Sequence, residues 1–232
     1  MKRQLMGTFG LAAIMSLGGS IARADFVLTL DDAASGGIEV IVADNLGAGV
    51  FLPGSGLTTT HADALGDVGV ILFDGPIGDF LTNTVTGISK PLLGPPGEML
   101  LAGVHTSNVS GLMTVGLTDT GFGSATSFTV RNAFGGVAGG TVVSEWGADL
   151  DNSHFSFASA FGSLGPFGPG AFDDESSIGP LSADPSFSLT NSVEITHGGG
   201  SSVTSYSMNV SVPEPGTALL LIAAVPILLR RR

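Results

Sequence analysis

The sequence predicts an all-β chain: an antiparallel β-sandwich or jelly-roll-like ectodomain, preceded by an N-terminal signal peptide and followed by a short C-terminal transmembrane helix. Three observations predict this. Residues 25–211 run as short segments of alternating apolar and polar residues between Gly, Pro, Asn and Asp clusters, the period-two signature of half-buried strands. The same stretch is rich in Gly, Ser, Thr, Val and Phe and poor in helix formers. The chain contains no cysteine, so stability must come from a buried core rather than from disulfide staples, and the ectodomain is long enough to build one such core. The expected division is 1–24 signal peptide, 25–211 β-domain and 212–232 C-terminal segment.

Taken in order, Phe26 to Leu30 forms a first strand, ended by Asp31-Asp32 and Gly36-Gly37, and Ile38 to Val42 follows at hairpin distance. Asp44 to Asp63 reads as a Gly-rich loop. Gly66 to Phe73 and Asp79 to Ser89 are strands about the turn Asp74-Gly75-Pro76, and Pro91 to Gly97 is a connection. Glu98 to Ser107 and Leu112 to Thr118 come next, the second ending at Asp119-Thr120-Gly121-Phe122. Thr126 to Asn132, Gly140 to Glu145 and His154 to Phe161 continue the pattern, and Gly162 to Asp184 reads as a second long loop. Ser186 to Thr196 and Ser201 to Ser211 close the domain as a hairpin about His197-Gly198-Gly199-Gly200. That gives ten to eleven strands, with a sandwich or jelly roll as their natural arrangement. Period two places Phe187, Leu189, Asn191, Val193 and Ile195 on one face and Ser188, Thr190, Ser192, Glu194 and Thr196 on the other. In the last strand Thr204, Tyr206, Met208 and Val210 are the inward set.

The two ends carry targeting information. Met1-Lys2-Arg3 precedes the apolar or small residues 5–21, and Ala22-Arg23-Ala24 is a small-x-small site, with Ala22 and Ala24 the cleavage determinants. This is the organisation of a secretory signal peptide and implies signal peptidase and the Sec export machinery as partners. At the other end Val212-Pro213-Glu214-Pro215 is followed by the uncharged Thr217 to Leu229 and then Arg230-Arg231-Arg232. The two prolines break any preceding strand and leave the motif extended. A helix over 216–229 is roughly 21 Å long against a hydrocarbon core of ~30 Å. An ordinary stop-transfer anchor is one reading, with the arginines on the cytoplasmic side.

Pro213, Glu214, Pro215, the short apolar helix and Arg230, Arg231 and Arg232 together resemble the PEP-CTERM sorting signal of Gram-negative bacteria. The resemblance implies recognition and cleavage by an exosortase, an inner-membrane intermediate, and final placement at the cell surface or in an extracellular matrix. It also implies a host that makes exopolysaccharide. The body is similar, more loosely, to ectodomains that precede such tails, on Gly66-Asp67-Val68-Gly69-Val70, residues 79–87, 118–122 and 188–196; that similarity implies no activity.

Six of the eight Lys and Arg residues lie in the two targeting segments, leaving Lys90 and Arg131 against nineteen acids, a net charge near −17 for the ectodomain. Such a surface repels nucleic acid and anionic lipid. The four His residues, at 61, 105, 154 and 197, stand singly. Ser55 and Ser163 lack the G-x-S-x-G context of a nucleophile elbow. Gly135 to Gly140 has neither the lysine nor the following helix of a phosphate loop. The N-x-S sequences at Asn108 and Asn209 read as chance matches, since the bacterial host that the resemblance implies seldom uses this sequon. Trp146, the single tryptophan, beside Glu145 and near Asp149, is a candidate sugar platform or else a core residue. Asp149-Leu150-Asp151-Asn152-Ser153 offers oxygen ligands from Asp149, Asp151 and Asn152, a candidate calcium loop lacking the Gly and distant Glu of an EF-hand. Asp173-Asp174-Glu175 is a second acidic cluster, and Asp31-Asp32 a plain turn. The resemblance of the C-terminal segment, together with the absence of a catalytic constellation, implies a structural or adhesive function within an exopolysaccharide or biofilm layer, with no cofactor expected. The alternatives are a carbohydrate-binding module and, third, a secreted glycan hydrolase.

Overall fold

The computed structural model describes residues 26–52, 56–90, 92–93 and 97–213. Among these residues lie twelve strands and no helix. They are β1 (Val27–Asp32), β2 (Val40–Ala43), β3 (Phe51–Leu52), β4 (Leu57–Thr58), β5 (Val70–Ile77) and β6 (Phe80–Ile88), then β7 (Gly97–Ser107), β8 (Ser110–Ala138), β9 (Thr141–Asp149), β10 (Ala160–Phe167), β11 (Gly170–Gly198) and β12 (Ser202–Val212). Every pairing is antiparallel. The expected signal-peptide site at Ala22 and Ala24, the residues Glu214 and Pro215, the expected C-terminal helix and Arg230 to Arg232 lie outside the described residues.

The architecture rests on one ribbon. β8 and β11 each run for 29 residues and pair along their whole length, Gly198 with Ser110 at one end and Gly170 with Ala138 at the other. Straight strands of that length would reach roughly 100 Å. The ribbon instead bends where its register slips repeatedly, between Ile178 and Leu189 of β11, as bulges allow. Phe187 stacks on Phe122 at 5.4 Å and on Phe128 at 4.8 Å within this stretch. On one side of the bend β1 pairs with residues 113–118 of β8, and β9 with residues 188–196 of β11. This gives a front sheet of order β2-β1-β8-β11-β9-β10. On the other side β12 pairs with residues 131–137 of β8, giving a back sheet of order β5-β6-β7-β12-β8-β11. The result is a single sheet folded on itself until nearly closed.

The two halves share one apolar core, including Phe26, Leu28, Met99, Leu101, Val115 and Phe134. Each large aliphatic or aromatic side chain buried there contributes about 1.5–3 kcal/mol. Gly87 of β6 shows how closely the halves meet: a Cβ there would lie 2.7 Å from the Leu117 side chain and 3.1 Å from Phe26. The predicted inward sets, Phe187 to Ile195 and Thr204 to Val210, are both buried.

Several boundaries differ from expectation. The segment read as a loop from Gly162 to Asp184 is β10 and the first half of β11. Residues 119–122, read as the end of a strand, lie inside β8, which joins two predicted strands into one. Asp74-Gly75-Pro76 belongs to β5, where the register shifts by a bulge, and the chain turns at Gly78 and Asp79. Residues 154–159 form a loop, with the strand beginning at Ala160. In the first three cases tertiary pairing overrides a local turn signal, because a Gly or Asp pair supports a bulge as readily as a chain reversal; in the last, an alternating apolar pattern lies on a loop.

Candidate functional site

Trp146 and the loop of Asp149, Asp151 and Asn152 occupy structural positions. Trp146 on β9 points into the core with 0% of its surface exposed. Its indole lies against Gly162 of β10, where a Cβ would come within 2.6 Å of the ring. No face is free for a sugar, so the Trp146 platform is corrected to a core residue, while Glu145 beside it is exposed.

The calcium reading of Asp149, Asp151 and Asn152 is likewise replaced. Asp149 is buried, and its Oδ1 accepts hydrogen bonds from the Asp151 amide at 2.9 Å and the Ser159 hydroxyl at 3.3 Å. Burial pushes its carboxyl up, but bonds from Ser156, Asp151, Ser153 and Ser159 outweigh this and hold it below the usual value. Asn152, in a left-handed conformation at φ 59°, turns its Oδ1 toward the Gly121 amide at 2.6 Å. These oxygens satisfy backbone donors and fix the loop of residues 150–159. Among the described residues no three His, Asp or Glu side chains come together as a metal site. Asp173, Asp174 and Glu175 are exposed on β11, where Glu175 pairs with Arg131 at 3.2 Å.

That pinned loop walls a groove of about 340 Å³ on the outer face of the front sheet. Its floor carries hydroxyls on adjacent strands: Thr114 of β8 and Ser192 of β11 are partly exposed, while Thr29 of β1 and Thr190 of β11 lie buried beneath them, Thr190 hydrogen-bonded to Thr118 at 3.1 Å. Gly116 lies in register between Thr29 and Ser192, and its missing side chain admits the edge of Phe155, whose ring is 3.2 Å from where a Cβ would stand. One wall is His154, Phe155 and Phe157; the other is Ile38 and Leu57. Phe155 is held at φ 50°, a conformation a bulky residue rarely adopts. Its amide donates to Thr118 Oγ1 at 3.2 Å, and the Ser188 hydroxyl donates to the Ser153 carbonyl at 2.7 Å. Phe157 extends the aromatic wall, meeting the half-exposed Phe161 edge-on at 5.5 Å. Below the opposite wall, Val27, Ile41, Ala43 and Leu52 form a small second core against which Leu57 and Phe155 pack.

The volume lies at the low end of small-ligand sites. None of the lining residues is Asp, Glu, Lys or Arg. The groove therefore offers apolar faces, oriented hydroxyls and one imidazole, a chemistry suited to an uncharged ligand with both C–H faces and hydroxyl groups. Nothing in the lining supplies the paired carboxylates of glycoside hydrolysis. On the opposite face of the domain a trough of about 290 Å³ crosses β6, β7, β12 and β8 over Thr84, Thr86, Ala102 and Ser207. It has no loop wall, and its only aromatic side chain, Tyr206, is buried.

Sequence reasoning placed Thr190 and Ser192 on the outward face but missed Phe155 and Phe157. The visible signal was the alternation in His154-Phe155-Ser156-Phe157, which reads as a strand; the positive φ that turns the segment into a wall has no sequence mark on a phenylalanine.

No family model matches the chain, and no curated protein matches it either. Among solved structures it is similar to TmCBM61 in complex with β-1,4-galactotriose, at 9% identity and a TM-score of 0.30, covering 58% of this chain and 90% of that one. It is also similar to the enzymatically active domain of tailspike protein 4 of bacteriophage CBA120, at 9% identity and a TM-score of 0.33, over 60% of this chain and 20% of that one. A third similarity is to Arthrobacter globiformis T6 isomalto-dextranase complexed with panose, at 10% identity and a TM-score of 0.22, over 82% of this chain and 30% of that one.

Proposed function

We propose that the chain is an exported, non-catalytic matrix protein, sorted through its C-terminal segment and bound to uncharged exopolysaccharide by the front-sheet groove. The observation that carries the binding part is the groove's composition: a hydroxyl floor, a phenylalanine wall and no charged group among its lining residues. A pyranose presents C–H faces to aromatic rings and hydroxyls to Thr and Ser side chains. The strongly acidic ectodomain disfavours anionic polymers at the same surface. Sorting rests on the sequence of residues 212–232 alone, with exosortase as the partner it implies.

Truncating both Phe155 and Phe157 to Ala is expected to weaken binding of neutral polysaccharide about tenfold or more, as loss of buried aromatic anchors does. Titration calorimetry on a panel of neutral glucans, galactans and mannans measures it, with thermal unfolding run alongside to confirm that the variant folds. Absence of binding to the whole panel, or equal binding by parent and variant, sinks the glycan reading. Separately, Pro213-Glu214-Pro215 replaced by Ala-Ala-Ala is expected to block C-terminal processing while leaving membrane insertion intact. Mass spectrometry of the surface-released form decides this, and an identical C-terminus in parent and variant counts against sorting.

A further inference from the structure

Lys90 and Asp119 form the most enclosed ion pair among the described residues. Lys90 follows β6 of the back sheet; Asp119 sits on β8, where the ribbon leaves the front sheet. Nζ lies 2.9 Å from Asp119 Oδ1, the Asp119 side chain is 0% exposed, and that of Lys90 is 26% exposed. Nζ also donates to the Thr120 carbonyl and stands 4.2 Å from the centre of the Phe122 ring. The neighbouring Ser89 hydroxyl donates to Asp119 Oδ2 at 2.5 Å. Two opposite charges so placed lose most of their hydration. Their neutral forms, an amine and a carboxylic acid, differ from the ion pair only by one proton moved along the same contact.

We propose that Lys90 and Asp119 condense into an intramolecular isopeptide bond. The neutral Nζ attacks Cγ of the protonated Asp119 carboxyl; the N–Cγ bond forms and one Cγ–O bond breaks. The departing hydroxyl takes one amine proton and leaves as water, so amine plus acid gives amide plus water with nothing oxidised or reduced. No co-reactant is required. Three features favour it. The reacting groups are already in contact, which removes most of the entropic barrier to joining them. The apolar surroundings shift both partners toward the reactive forms: burial lowers the Lys90 amine against the pull of Asp119, and burial raises the Asp119 carboxyl against Lys90, Ser89 and the Thr120 amide. Ser89, a positioning residue, holds Oδ2 and so orients Cγ toward the amine. The product ties the end of β6 to β8, covalently linking the two halves of the folded sheet. In a chain without cysteine, it supplies the staple that exported domains otherwise draw from disulfides.

The test is peptide mapping of the full-length protein purified from an exporting host. Digestion with a protease that cleaves at leucine and phenylalanine is needed, because Lys90 precedes Pro91 and only Arg131 offers tryptic cleavage elsewhere in residues 25–211. The expected result is a branched species joining the Lys90 and Asp119 peptides, lighter than their sum by one water. Lys90→Arg keeps a cation that cannot form the amide; it should yield two linear peptides of full mass and migrate more slowly in denaturing gels than the looped parent. Ser89→Ala should slow bond formation without abolishing it. Linear Lys90 and Asp119 peptides of unchanged mass in the folded parent overturn the proposal, whether or not any variant folds.

Discussion

Replacing Trp146 by alanine is expected to lower stability by about 3–5 kcal/mol, the usual cost of emptying a large buried aromatic site. Set against the 5–15 kcal/mol typical of whole domains, that change brings the protein close to unfolding. Trp146 pairs in register with Gly162 on one side and Asn191 on the other. Its ring occupies the space that the glycine leaves open, so the cavity is bounded by backbone, which cannot collapse into it. Among the described residues the indole Nε1–H has no hydrogen-bond partner. Phenylalanine at this position removes that uncompensated donor while keeping most of the volume, and Trp146→Phe should therefore cost only about 1 kcal/mol. Urea denaturation separates the two variants. The same experiment distinguishes a core tryptophan from a sugar platform: a platform variant would unfold like the parent and lose only ligand.

Why part of the fold could be read in advance is clear from β11 and β12. Their second halves alternate apolar with polar residues, and Phe187, Leu189, Val193 and Ile195 fall in the core where period two puts them, although on the other face Ser188 and Thr190 are also buried, beneath the loop of residues 150–159. The first half of β11 hides the same pattern. Gly170 to Pro185 carries Asp173, Asp174, Glu175 and several Gly and Pro residues, all of which read as loop. It is a strand because residues 130–138 of β8 supply a partner for it, and such long-range pairing leaves no local trace. The groove is legible to the same degree. Thr190 and Ser192 announce an outward polar face, but the wall depends on Asp149 and Asn152 pinning a loop. Those oxygens resemble calcium ligands by spacing alone. Lys90 and Asp119 were visible only as a solitary cation and a turn residue; 29 positions apart in the chain, they meet because β6 and β8 lie in facing halves of the sheet.

Stability is expected to fall as pH drops below 6.5, with His105 as a principal cause. His105 is 0% exposed on β7. Its Nδ1 is 3.1 Å from Thr82 Oγ1 and its Nε2 is 3.3 Å from Tyr206 Oη. Tyr206, itself buried, is pushed up out of its usual range and stays a neutral phenol. Burial first, and the charge of His197 second, lower His105 from 6.5 to about 3. The sign follows from proton counting. Above pH 6.5 the imidazole is neutral in both folded and unfolded chains, and the full stability is present. Between 6.5 and about 3 the unfolded chain takes up a proton that the folded chain refuses, so stability is lost with each step down. Over that window the loss is on the order of 4 kcal/mol. His197, lowered by burial too, acts in the same direction, whereas the carboxyl of Asp44, raised chiefly by burial, acts in the opposite one. The variant His105→Gln isolates the contribution: it keeps a polar group between Thr82 and Tyr206 but cannot titrate. Urea midpoints measured from pH 7 to pH 3.5 should fall less steeply for His105→Gln than for the parent, and the two curves should converge toward acid. Parallel curves across that range would show that the imidazole does not carry the acid sensitivity.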